Sequence, residues 1–254
     1  MNKKSVKFWG TYYKIRYYKS ITKKQTETEI NFIKKFLPVE KYPKILDFVC
    51  GFGRHSIALA RLGYQIEGFD VDKESIKSAK FLAQKYKLKN VNFYFEDSTK
   101  FNKKNLFDAT ICLYSSIGFL TLKQNEKTFN NLFTSVKQGG RIILDVMNPD
   151  WAKKNLVEYT EKNIVYKQKK YLIKHKRSIL DNPIREKNEL VFINIKTGLS
   201  DNTSYIVYLY TIQNLEKMFY RYGFIIRKKY GSYKGGKIFK NNQRIIIIAD
   251  KKFD

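Results

Sequence analysis

At 254 residues, with 43% apolar and 16% aromatic side chains, the chain has material for one large domain, or for a domain carrying an insertion, and nothing in it reads as a disordered tail. The longest strictly apolar run near the C-terminus, residues 245–249, is far too short to cross a bilayer, and the basic N-terminus lacks the apolar segment of a signal peptide, so a cytoplasmic protein without a membrane partner is expected. The formal charge of +27, from 50 Lys and Arg against 23 Asp and Glu, invites a nucleic-acid partner, but the excess is mostly lysine spread from Lys3 to Lys252, and an AT-rich genome supplies such a composition without selection for binding; nucleic acid is disfavoured rather than excluded.

The predicted elements alternate. Apolar residues at Ile30, Ile33, Phe36 and Leu37 have helical spacing, and Pro38 and Pro43 end that helix. "KILDFVC" reads as a buried strand, "RHSIALARLGY" as a helix closed by Gly63, and "QIEGFD" as the next strand. A helix with Asp72 as N-cap follows, then strands "VNFYFED" and "FDATICLYS", helix "EKTFNNLFTSV" and strand "RIILDVM". This spacing implies βαβ units and a parallel sheet covered on both faces. After Pro149 the pattern changes to strands "YLIKHKRSIL", "NELVFINI" and "SYIVYLY" joined by turns at "DNP" and "KTG". Helix "IQNLEKMFYRYG" then leads to strands "FIIRKKY" and "RIIIIAD", which have only a loop between them and are expected to pair antiparallel at a sheet edge.

The first strand runs into Gly51-x-Gly53 and directly into a helix, an arrangement that allows a tight turn, close backbone approach and an anion-friendly helix start. Ser56 stands where the third glycine of a dinucleotide fingerprint would be, so the glycines alone are weak evidence. The second strand ends on Asp70, where a carboxylate accepts from both ribose hydroxyls of an adenosine. Together they indicate a nucleoside-containing ligand. Asp47, at the end of the first strand, would repel a pyrophosphate, which disfavours an NAD-dependent oxidoreductase.

In this order, "ILDFVCGFGRHSIALA", "GFDVD", "FEDST", "FDATICLYSSIGFL" and "VKQGGRIILDVMNPD" resemble the five sequence motifs of class I S-adenosylmethionine (SAM)-dependent methyltransferases, and "YTIQNLEKMFYRYGF" resembles the helix and strand that follow them. "GRHS", "SSIGFL" and the β-insertion are similar to a subgroup of bacterial small-molecule methyltransferases. Val49-Cys50 and the bulky Phe52 depart from the usual motif, and Phe52 narrows the methionine end of the pocket. The resemblance implies an α/β fold: a Rossmann-like, mostly parallel sheet with an antiparallel edge strand and a small antiparallel β-insertion. It divides the chain into an N-terminal helical cap (1–40), a SAM-binding core (41–150), the insertion (151–210), serving as lid or dimer contact, and a return to the core (211–254), in a monomer or homodimer.

By the same resemblance SAM is the cofactor and S-adenosylhomocysteine (SAH) the product. The backbone around Cys50, Gly51 and Gly53 cradles the methionine portion, Asp70 holds the ribose, Val71 lies against the adenine, Asp97 beside Ser98 accepts from the adenine amino group, and the Leu113 carbonyl meets the amino group. Arg54 either helps the carboxylate or is solvated, and Asp47 holds loop amides or touches the ligand. Methyl transfer needs alignment more than strong acids or bases. His55 and Tyr114 are weak catalytic candidates, with His55 read foremost as a structural ring. His175 reads as a residue of a solvated strand face, and no metal-ligand spacing occurs. Tyr12, Tyr13 and Tyr18, as an aromatic lid, and Tyr114, Ser115 and Asn148 are the substrate-binding candidates. "LYSS" stands where amino-group methylases of adenine or glutamine carry an Asn-Pro-Pro-Tyr-like motif. The function expected is methyl transfer to N or O of a small molecule; an RNA methyltransferase and a SAM-binding module without catalysis are the alternatives.

Overall fold

A computed structural model of the chain describes residues 21–253, Lys167 excepted. Its elements follow the expected alternation: α1 (Lys23–Phe36), β1 (Lys44–Phe48), α2 (Arg54–Ala60), β2 (Gln65–Asp70), α3 (Lys73–Lys85), β3 (Val91–Phe95), β4 (Phe107–Cys112), α4 (Leu122–Thr134) and β5 (Val136–Met147). A short helix α5 (Pro149–Lys154) leads to β6 (Tyr159–Tyr166), β7 (Lys169–Leu180), β8 (Arg185–Asn194) and β9 (Ser200–Tyr208), and α6 (Ile212–Arg221), β10 (Phe224–Tyr230) and β11 (Arg244–Lys251) close the chain. Asp72 caps α3 as expected, accepting from the Ser75 amide at 3.0 Å.

The larger sheet has seven strands in the order β10-β11-β5-β4-β1-β2-β3. The β1–β2, β1–β4, β2–β3 and β4–β5 pairings are parallel, and β11 runs antiparallel to both β5 and β10, so the antiparallel strand lies one place in from the edge. Strands buried on both faces read as continuous apolar runs, and β1 shows why. Ile45 packs with α1, α2 and α3 on one face, while Leu46 and Phe48 pack with α4 and α6 on the other. The sequence is therefore a Rossmann-like α/β sheet, with all its β1–β5 carboxyl ends opening on one side.

The insertion is a four-stranded antiparallel sheet, β6-β7-β8-β9. Three of its strands were expected; β6 and α5 were not. The sheet joins the core through Ala152, Val207 and Leu209 packed with Phe119 and Met147. At the same junction the Tyr208 amide donates to the Gly118 carbonyl at 2.8 Å, so β9 lies directly against the loop after β4. No helix among the described residues is long and apolar enough to cross a membrane.

Gly53 shows how tightly the turn after β1 is built. Its φ of 71° is left-handed, and a Cβ there would lie 2.7 Å from the Phe93 ring. Gly53→Ala combines left-handed strain with overpacking and is expected to cost roughly 2–4 kcal/mol, read as a lowered urea midpoint at unchanged slope. A loss below about 0.5 kcal/mol would show that Phe93 yields without strain.

Candidate active site

Between β1 and α2 the backbone turns through three left-handed residues, Val49, Gly51 and Gly53. The Cys50 amide donates to the Phe69 carbonyl at 2.8 Å, and the Gly51 amide donates to Asp70 Oδ2 at 2.9 Å. Asp70 Oδ1 accepts from the Asp72 amide at 2.9 Å, so one carboxylate ties the turn to the end of β2. Asp70 is buried, and that burial raises its pKa to about 6 against the lowering effect of the two amides, with the charges of Asp72 and Asp47 raising it further. A carboxylate has about four lone-pair sites, and the two amides leave two of them for a diol. A Cβ on Gly51 would meet nothing within 4 Å, in contrast to Gly53: the first glycine opens onto space, the second fills it.

That space is a cavity of about 1090 Å³. Asp47, Cys50, Gly51, Arg54, Asp70, Val71, Asp97, Ser98, Leu113, Tyr114 and Ser115 all line it, which brings most of the expected site residues together. Gly53 sits behind the wall rather than in it. Asp47 accepts from the Ser56 hydroxyl at 2.5 Å and from the Ser56 amide in the first turn of α2, and burial raises its pKa. Asp97 Oδ1 accepts from the Thr99 amide and hydroxyl, both at 2.8 Å, so it stiffens its turn while facing the cavity. The Leu113 carbonyl accepts from the Ser116 hydroxyl at 2.8 Å. Glu96, beside Asp97, joins the lining without having been anticipated.

Both weak catalytic candidates are drawn into a buried network centred on Glu29 of α1. Glu29 accepts from the Arg54 guanidinium and from the Tyr114 hydroxyl, and it lies 2.9 Å from His55 Nε2. Its own burial pushes its pKa up, but the hydrogen bonds and charges of His55 and Arg54 outweigh that and hold it at about 2. The Tyr114 hydroxyl, its pKa raised by burial and then by Glu29, donates to that carboxylate on α1. Its ring lies between two guanidiniums, Arg54 at 4.6 Å and Arg244 at 4.2 Å. Arg244 in turn pairs at 3.2 Å with the fully buried Asp145, which also accepts from the Tyr114 amide and the Tyr233 hydroxyl. None of Glu29, Asp145 or Arg244 was singled out from the sequence.

Two expectations are corrected. Asn148 does not line the cavity: its side chain accepts from the Asp150 amide to cap α5 and donates to the carbonyls of Phe239 and Asn242. His175 is not on a solvated face: it is 8% exposed and lines the cavity with Arg177, Glu186 and Asn188. Tyr12, Tyr13 and Tyr18 lie outside the described residues. Among the described residues no group of three or more His, Cys, Asp or Glu could hold a metal ion.

A family model described as a methyltransferase domain matches residues 40–220. The chain belongs to that methyltransferase family. Among solved structures, an S-adenosylmethionine-dependent methyltransferase from Clostridium acetobutylicum ATCC 824 superposes with a TM-score of 0.75 at 17% identity, covering 99% of this chain and 100% of that one. SAM-bound CalS10, an amino pentose methyltransferase from Micromonospora echinaspora, does so with a TM-score of 0.65 at 14% identity, covering 99% and 98%. These show the class I SAM-dependent methyltransferase fold. YqeM of Bacillus subtilis (strain 168), a methyltransferase by name, is 30% identical over 108 residues, which are 41% of this chain and 42% of that protein. The chain thus spans about two fifths of the length of the curated relatives it matches. The site fits the methyltransferase donor, SAM: open space at Gly51 admits an uncharged-backbone approach, Asp70 retains acceptor sites for a ribose, and carboxylates suit a sulfonium and an ammonium.

Proposed function

We propose that the protein transfers the methyl group of SAM to a nitrogen or oxygen of a small-molecule acceptor. The observation that carries this reading is a single cavity running from the glycine turn to the inner face of the β-insertion, so that one wall suits the donor and the other suits an acceptor. Cys50 and Gly51 cradle the methionine portion, Asp70 takes the ribose, Val71 and Asp97 take the adenine, and the Leu113 carbonyl faces the amino group. The insertion, residues 151–210, acts as the lid, and the cap reaches the site through Thr26 and Glu29 of α1.

SAM supplies a methyl group on a positively charged sulfur. When bound, it would offer that methyl to the acceptor's lone pair, with SAH as the leaving group and the acceptor's proton going to water. The chain's contribution is to align acceptor and methyl and to exclude competing water, which supplies roughly 7–11 kcal/mol in favourable models. A neutral amine needs no base for this.

Charge separates the small-molecule reading from RNA. The chain carries +27, yet among the described residues six carboxylates line the cavity (Asp47, Asp70, Asp72, Glu96, Asp97 and Glu186) against four cations (Lys23, Arg54, Arg177 and Arg244). A polyphosphate acceptor wants the opposite balance. The test is SAH release from SAM with pooled small amines and alcohols in one arm and total RNA in the other. Release in the first arm alone is expected. Methyl label in RNA would replace this reading with the RNA methyltransferase, and SAH binding without turnover in either arm would leave a binding module.

A further inference from the structure

Sheet faces that merely pack carry apolar side chains, because a buried polar group loses its water. The insertion departs from that rule at one place. The β7–β8 register pairs His175 with Leu190, Arg177 with Asn188 and Ile179 with Glu186, which puts these residues on one face. At one end that face is apolar, where Ile173 and Leu190 form a small core with Phe192 and Tyr205. Over the cavity it becomes polar. His175, Glu186 and Asn188 are only 8%, 7% and 3% exposed, and with Arg177 they line the space.

These side chains are ordered by one another. His175 Nε2 lies 2.8 Å from Asn188 Oδ1, and Arg177 Nη1 lies 3.5 Å from Glu186 Oε1. On the loop after β4, which lines the same cavity, Ser115 Oγ is buried without a hydrogen-bond partner among the described residues, although the Ser115 amide donates to the Asp145 carbonyl at 2.9 Å. A buried hydroxyl left in that state faces a missing partner.

We infer that the inward polar face of the insertion (His175, Arg177, Glu186 and Asn188), with Ser115 of the loop after β4, is the acceptor-recognition site, and that it takes a hydroxyl-bearing amine. This rests on the reading of the cavity as a donor–acceptor site. The amide, the imidazole and the serine hydroxyl match hydroxyl groups, which both donate and accept. Glu186 favours an amine over a phosphate, while Arg177 limits the charge so that the amine can react in its neutral form.

The test uses the full chain, with glucosamine as probe and phenol and ribose 5-phosphate as comparisons. Glucosamine-dependent SAH release is expected to exceed that with either comparison. In Asn188→Leu, and separately in Ser115→Ala, the KM for glucosamine should rise about tenfold, the loss of one hydrogen bond that substrate no longer makes. SAH affinity, measured by calorimetry, should stay at the wild-type value in both variants, and it also reports that each has folded. Ser115 lies on a different element from Asn188, so misfolding of one variant does not remove the other. Preference for phenol or ribose 5-phosphate, no glucosamine-dependent release from a protein that binds SAH, or an unchanged KM in the variants that bind SAH would overturn the inference. Failure of the wild type to bind SAH would instead overturn the donor reading beneath it.

Discussion

Glu29→Ala is expected to lower the unfolding midpoint by roughly 10 °C in differential scanning calorimetry. The side chain is 1% exposed and is the shared partner of the buried His55 and the half-buried Arg54 and Tyr114, so its removal strips a carboxylate from three groups at once. Breaking one partner out of a buried ion pair costs about 3–5 kcal/mol, and a chain of this size shifts by about 2–4 °C per kcal/mol. The damage is greater than for a lone pair, because the Tyr114 ring sits between Arg54 and Arg244 and the carboxylate offsets their mutual repulsion. Glu29→Gln, which keeps an acceptor and loses the charge, should fall between wild type and alanine. A shift under about 2 °C for alanine would show that the network rearranges around the loss.

The same residue sets the acid limb of stability. Its pKa falls from an ordinary 4.5 to about 2 on folding, so its contribution is complete above 4.5 and is lost as the pH drops from 4.5 towards 2. The full span is worth about 3 kcal/mol. In Glu29→Gln that part of the acid limb should flatten, as urea titrations at successive pH values would register.

Where sequence sufficed, the signal was local. The glycine turn, the alternation of strand and helix, the Asp72 cap and the antiparallel pairing of β10 with β11 each depend on neighbours within a few residues or on a connection that carries no helix to make a crossover. Glu29 was illegible for the opposite reason. It stands in "KKQTETEINFIKK", where a glutamate between lysines reads as a solvated helix face; only the packing of α1 over the start of α2, some 25 residues on, buries it. His175 failed similarly. Period-two alternation fixes that 175 and 177 share a face, but docking against the core decides which face looks inward. β6 escaped because it is an edge strand, paired with β7 alone, and its polar, exposed sequence carries no buried stripe. The Asn148 side chain is taken by the Asp150 amide and by the carbonyls of Phe239 and Asn242, the last 94 residues on, which no local pattern announces.

Asp70→Asn is expected to weaken SAH binding by at least about a hundredfold in calorimetric titration. Hydrogen bonds to a charged partner contribute about 1.5–3 kcal/mol each, and a ribose diol makes two. The amide also has only one acceptor oxygen, and its NH2 would face either the Gly51 or the Asp72 amide donor, so the turn that carries the donor site loosens as well. The wild type should show part of that loss through pH. With its pKa raised to about 6, Asp70 is ionised near pH 8 and mostly protonated near pH 5, so SAH affinity should fall about tenfold across that interval and stay flat in the variant.

Two signs make this profile diagnostic of the site. A folded-state pKa above the ordinary 3.8 means that Asp70 itself adds stability as the pH falls through about 6 and removes it as the pH rises again. Glu29 begins to withdraw its contribution only below 4.5. Between about pH 8 and pH 5, then, Asp70 drives binding and folding in opposite directions while Glu29 holds steady. Affinity that falls while the unfolding midpoint does not is the expected pair of curves; affinity that holds constant in the wild type would remove Asp70 from the donor site.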